Sequence, residues 1–215
     1  HTSQRVRPTE PLFGLNQAIY AAFERPAPKH LASCTCSLCA DQERAQALQG
    51  LPARDWTAEE VTGWMQAALD QARQRADTAL LSRSDRAVFR FLLPRVLELL
   101  AAGALPRSEA VLHAFSACLP GRTIAMGHAD AELTARLGAL VLDRSVSDDN
   151  WRLDAMETIH LLIAGGWSQP RLVAQVLSDP DLPSAWARAW GRCRDGASLF
   201  DGQWPMGAVD YLRTH

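Results

Sequence analysis

Lysine is nearly missing from this 215-residue chain. Lys29 is the only one, and arginine carries the rest of the 22 positive charges. The sequence has no apolar run near the roughly 20 residues that a bilayer-spanning helix needs. Its first residues, HTSQRVRPTEP, lack the apolar middle of a secretory leader, so the expected compartment is the cytoplasm and no membrane association is expected. No run of positive charge accompanies the net charge of -2, which argues against a nucleic-acid partner, since phosphate-driven binding calls for clustered cations. A glycine-rich phosphate loop, a G-x-S-x-G elbow and an H-E-x-x-H pair are all absent, so no catalytic residue is assigned and an enzyme is the less favoured class. Five cysteines, an odd number with three of them inside six positions, do not make a disulfide framework for a chain of this size.

The sequence does contain the composition of a folded domain, 47% hydrophobic and 21% charged. Residues 1–12, polar and carrying Pro8 and Pro11, are read as a flexible arm, and 13–215 as one helical domain.

Apolar residues recur at helical spacing almost throughout. Leu15, Ile19, Tyr20 and Phe23 define a first helix, stopped by Pro26 and Pro28. A modest helix over Ala40 to Gln49 closes at Gly50 and Pro52. Thr57 and Glu60 have capping-box spacing ahead of a helix running to about Ala76, with Val61, Trp64, Met65, Ala68 and Leu69 inward. Asp85 to Ala102 follows, with Pro94 either kinking it or opening a second segment. Ser108, Asp130 and Ser168 begin further helices. Ser147 is read as the cap of a helix with Asp148 and Asp149 in its first turn, and Pro183-Ser184 as the start of one carrying Trp186 and Trp190.

No segment has a period of two, so the fold class is all-α. Antiparallel helical hairpins in a HEAT-like array or an irregular helical bundle both suit the pattern, and no residue-level repeat separates them.

The sharpest chemical motif is His30-x3-Cys34-x-Cys36-x2-Cys39, four soft ligands in a proline-bounded loop. A tetrahedral zinc site takes four such donors, and zinc is the only cofactor the sequence suggests. The Cys36-x-x-Cys39 pair also has redox spacing at the start of a helix. Plain thiols packed beneath the first two helices are the third reading, and the three stay open.

From Ala18 to Leu51 the chain resembles a family of bacterial helical proteins without an assigned activity. In that family a Tyr-x-x-Phe helix leads through Pro-x-Pro to a tight cysteine group. The matching residues are Tyr20, Phe23, Pro26, Pro28, Leu31, Cys34 and Cys36, and FLLPRVLELLA from Phe91 to Ala101 is similar as well. The resemblance implies an all-helical fold and no particular chemistry. Where the family has adjacent cysteines, this chain separates Cys36 and Cys39 by two residues.

His113, His128 and His160 fall on different helices and are read as structural. Asp148 and Asp149 are candidates for an acidic rim, and Trp186 and Trp190 for interface anchors, against the plainer readings of capping and core packing. The leading expectation is therefore a non-catalytic protein-protein interaction domain, in one form a toxin-neutralising, immunity-type partner. The alternative is a metal- or thiol-dependent enzyme or sensor built on the loop from His30 to Cys39.

Overall fold

A computed structural model describes residues 12–33, 40–75, 82–118, 131–148, 151–153 and 155–178. Every regular element in these residues is helical, so the fold class is all-α as expected. In chain order the helices are α1 (Leu12–Phe23), α2 (Ala40–Leu48), a 3-10 turn (Ala53–Asp55), α3 (Ala58–Gln74), α4 (Arg83–Ala101), α5 (Glu109–Cys118), α6 (Ala131–Ser147), α7 (Ala155–Ala164) and α8 (Gln169–Ser178).

The centre of the arrangement is α4, which packs against α1, the 3-10 turn, α3, α5 and α6. Its sequence explains this position. From Phe91 onward only Arg95 and Glu98 escape full burial, and a helix that is apolar nearly all round belongs inside. The first half is one-sided, with Val88 and Phe89 buried and Arg83, Arg86 and Arg90 exposed. Pro94 is accommodated inside one unbroken helix rather than opening a second.

Around α4, helices distant in sequence meet, α1 touching α6 as well as α4. Stacked repeats contact only their neighbours. The described residues thus form an irregular bundle and not a HEAT-like array.

Aromatic rings weld three of the helices. The Phe89 ring lies 6.3 Å from Trp64 on α3 and 6.4 Å, edge-on, from Phe115 on α5. The turn after α7 is pinned to α6 by a buried indole, Trp167 donating to the Thr134 carbonyl at 2.9 Å. Arg107 pairs with the buried carboxylate of Glu157, joining the turn before α5 to α7.

The capping box is present in both directions, Glu60 N–H donating to the Thr57 hydroxyl at 3.1 Å and Thr57 N–H to the Glu60 carboxylate at 2.6 Å. The expected helix start at Ser147 is not there. Ser147 is the last residue of α6, and its hydroxyl donates back to the Asp143 carbonyl at 2.7 Å. The apolar face that begins at Leu133 continues through Leu142 to Val146, so burial carries the helix past the point where a Ser-Asp-Asp sequence suggests a new one. The next helix begins only at Ala155.

Candidate functional site

From Glu24 to Leu31 the chain crosses the surface as a strap, held at each end, with no backbone hydrogen bond in the middle. Pro26 and Pro28 are the cause. Each lacks an amide hydrogen, and each drives the residue before it, Arg25 or Ala27, out of helical backbone.

The near end is held where Glu24 N–H closes the last turn of α1 on the Tyr20 carbonyl at 2.9 Å and the Glu24 carboxylate takes Arg54 at 2.9 Å. At the far end the Leu31 side chain is buried and its carbonyl accepts the Trp64 indole N–H at 3.1 Å. Between these anchors the backbone of residues 25–30 makes no hydrogen bond within the described structure. Most of these residues are exposed. Their amides and carbonyls are in the condition of an unpaired sheet edge.

A groove runs on each part of the strap. The first, about 630 Å³, is lined by Tyr20, Glu24, Arg25, Pro26 and Ala27 on one side and by Gly50, Leu51 and Pro52 on the other, with Phe91 of α4 at its floor. Leu51 is the one large hydrophobic residue markedly exposed among the described residues, at 39%. Gly50, with φ at +89°, lets the chain turn there from α2 into this wall. The second groove, about 720 Å³, is lined by Lys29 to Ser33, by Gln42, Gln46 and Gln49 of α2 and its end, and by Ser84 at the start of α4.

Beneath the first groove the frame is stiff. The Tyr20 hydroxyl donates to Glu98 at 2.8 Å, and Arg95 donates to the same carboxylate at 2.6 Å and to the Trp56 carbonyl at 2.7 Å. The Arg54 guanidinium lies over the Tyr20 ring at 5.1 Å. Burial, and then the bond to Glu98, push the Tyr20 phenol well above its ordinary value of 10.0. Its proton is held by Glu98.

Of the residues singled out in the sequence, His30 lies exposed on the second groove, while Cys34, Cys36 and Cys39 fall outside the described residues. Among the described residues no three His, Cys, Asp or Glu side chains gather as metal ligands would. Asp148 follows α6 and is paired with Arg144 at 2.7 Å, so its charge is engaged within its own helix end. Asp149, Trp186 and Trp190 lie outside the described residues, as does His128. His113 and His160 are buried in the bundle, and burial lowers the His160 pKa from its ordinary 6.5. No described helix is long and apolar enough to cross a membrane.

Two features escaped the sequence reading. The unbonded strap was legible only as a helix stop. The positive charge judged to be dispersed is partly gathered: Arg83, Arg86 and Arg90 share one exposed face of α4, and their i, i+3, i+7 spacing is the signal that reveals it once the helix is assigned. Comparison with protein-family models, with curated proteins and with solved structures returns no match.

Proposed function

We propose that the chain is a non-catalytic protein-binding domain whose docking surface is the strap 25–30 with its two flanking grooves. The observation that carries this reading is the strap's unbonded backbone between two fixed anchors. An extended segment with free amides and carbonyls offers a partner main-chain hydrogen bonds without first having to be ordered, and the grooves beside it receive side chains. The exposed Leu51 supplies an apolar anchor point on the first groove. The ionisable groups around it, Tyr20, Glu98, Arg95 and Glu24, are spent on holding the frame. Neutralising a toxin by covering its active site is a special case of this reading.

The test is co-purification with the full chain from its own cells, followed by calorimetric titration of the purified companion. Leu51→Arg fills the first groove with charge, and Ala27→Pro deletes the middle backbone donor of the strap without altering any charge. The expected result is stoichiometric binding by the parent and a loss of about tenfold or more in each variant, the scale of one truncated anchor. Equal binding by parent and variants contradicts the proposed surface. Failure to retain any protein at micromolar concentration contradicts a binding role.

A further inference from the structure

Resting on the reading of the strap as a docking surface, we infer that the segment it receives is acidic: an extended peptide whose carboxylates are taken by the arginine face of α4 and by Arg25 and Lys29 of the strap.

At about 3.6 residues per turn, Arg86, Arg90 and Arg83 fall within one narrow sector of α4, and exposed Ala87 comes next on the same face. Beyond Ala87 come Phe91 and Ser84. Phe91 lines the first groove and Ser84 the second, so the arginine face stands beside both across Ala87 and lines neither. Arg25 lines the first groove and Lys29 the second, and both are exposed.

None of these five cations pairs with a carboxylate within the described structure. Other arginines are matched: Arg54 with Glu24 at the first groove, and away from it Arg73 with Glu109, Arg107 with Glu157 and Arg144 with Asp148. Among the described residues Arg152 and Arg171 also lack a carboxylate partner, and the five named above are the unmatched cations that stand at or beside the two grooves. Guanidinium groups hold carboxylates with two parallel bonds, and such complementarity steers encounter and fixes register.

The floor decides the class of ligand. Phe91, Leu51, Ala27 and Pro26 give the first groove apolar walls, and the strap offers its carbonyls and the amides of Arg25, Ala27, Lys29 and His30, a match for polypeptide. Acidic residues interleaved with apolar ones satisfy both components.

The probe is a displayed library of random 12-residue peptides, selected on the immobilised full chain, with Kd values measured afterwards by fluorescence anisotropy. The variants are Arg83→Glu/Arg86→Glu/Arg90→Glu, whose substitutions all lie on solvent, and Leu51→Ser, which removes the apolar anchor without adding charge, each accepted only with an unchanged melting temperature. The result expected is enrichment of net-negative peptides by the parent and a loss of about tenfold or more in the triple variant, within the range that electrostatic focusing confers. Affinity also falls as salt rises. Neutral or basic winners, or acidic winners that bind the triple variant with unchanged Kd, overturn the inference. So does tighter binding of a 20-nucleotide oligothymidylate, lost in the triple variant, which marks a phosphate-backbone surface. Neutral peptides that depend on Leu51 overturn the acidic partner and keep the strap, whereas winners indifferent to both variants sink both.

Discussion

The Tyr20 hydroxyl and the Glu98 carboxylate meet at 2.8 Å across the α1–α4 contact, 78 residues apart in sequence. This bond ties the helix that launches the strap to the helix that floors the groove. A bond to a charged acceptor contributes about 1.5–3 kcal/mol, so Tyr20→Phe should lower unfolding stability by about 1–2 kcal/mol after allowance for its partial exposure. The sign with pH follows from the raised phenol pKa. Stability from this group is fully present below the ordinary value of 10.0 and is lost as pH rises through the higher folded value. Denaturant melts between pH 8 and 11 should show the parent declining above pH 10 more steeply than Tyr20→Phe, and parallel curves would contradict the burial of that proton.

His160 gives the opposite limb. Burial on α7 holds its pKa below 6.5, so the folded state favours the neutral ring. The stability this brings is present above 6.5 and is lost as pH falls toward the depressed folded value. His160→Gln should flatten the decline between pH 7 and 5 relative to the parent, as read by thermal melts across that range. An acid limb identical in both proteins would place the sensitivity elsewhere.

Gly103 and Trp151 are locked together. The glycine has φ at +67°, and a Cβ there would come within 2.5 Å of the indole. Gly103→Ala combines left-handed strain of about 1–2 kcal/mol with overpacking of about 1–3 kcal/mol. The indole itself donates to the Thr158 hydroxyl at 3.0 Å, so it has little freedom to retreat. Urea unfolding of Gly103→Ala, Trp151→Ala and the double variant should show the double less destabilised than the sum, because removing the ring removes the clash. Strict additivity would mean the two do not touch.

Much of the frame could be read from residue spacing. Leu15, Ile19 and Phe23 are buried as their period requires, and Thr57 with Glu60 forms the box their spacing announces. Thr57→Ala should accordingly cost about 1 kcal/mol in a denaturant titration. What misled was local chemistry overridden by packing. Ser147 and Asp148 have the residue types of a helix start, yet the apolar face of α6 runs on to Val146 beside them, and their side chains are satisfied by Asp143 and Arg144 of that helix. The site was less visible still. Pro26 and Pro28 mark a stop, but whether the chain beyond them pairs, packs or stands free depends on Trp64 and Arg54 reaching its two ends from other elements. Likewise, Arg83, Arg86 and Arg90 look scattered along the chain and become a face only when α4 is wound and its other side is buried.

The central claim, that the strap and its grooves are where this protein meets its partner, is tested most directly by hydrogen–deuterium exchange. The amides of residues 25, 27, 29 and 30 are unbonded in the free chain and should exchange at near-unprotected rates. On addition of the co-purified partner, the account predicts protection concentrated at residues 24–33, 49–53 and the first half of α4. Protection confined to α6, α7 and α8, with the strap still exchanging freely in the complex, would contradict it.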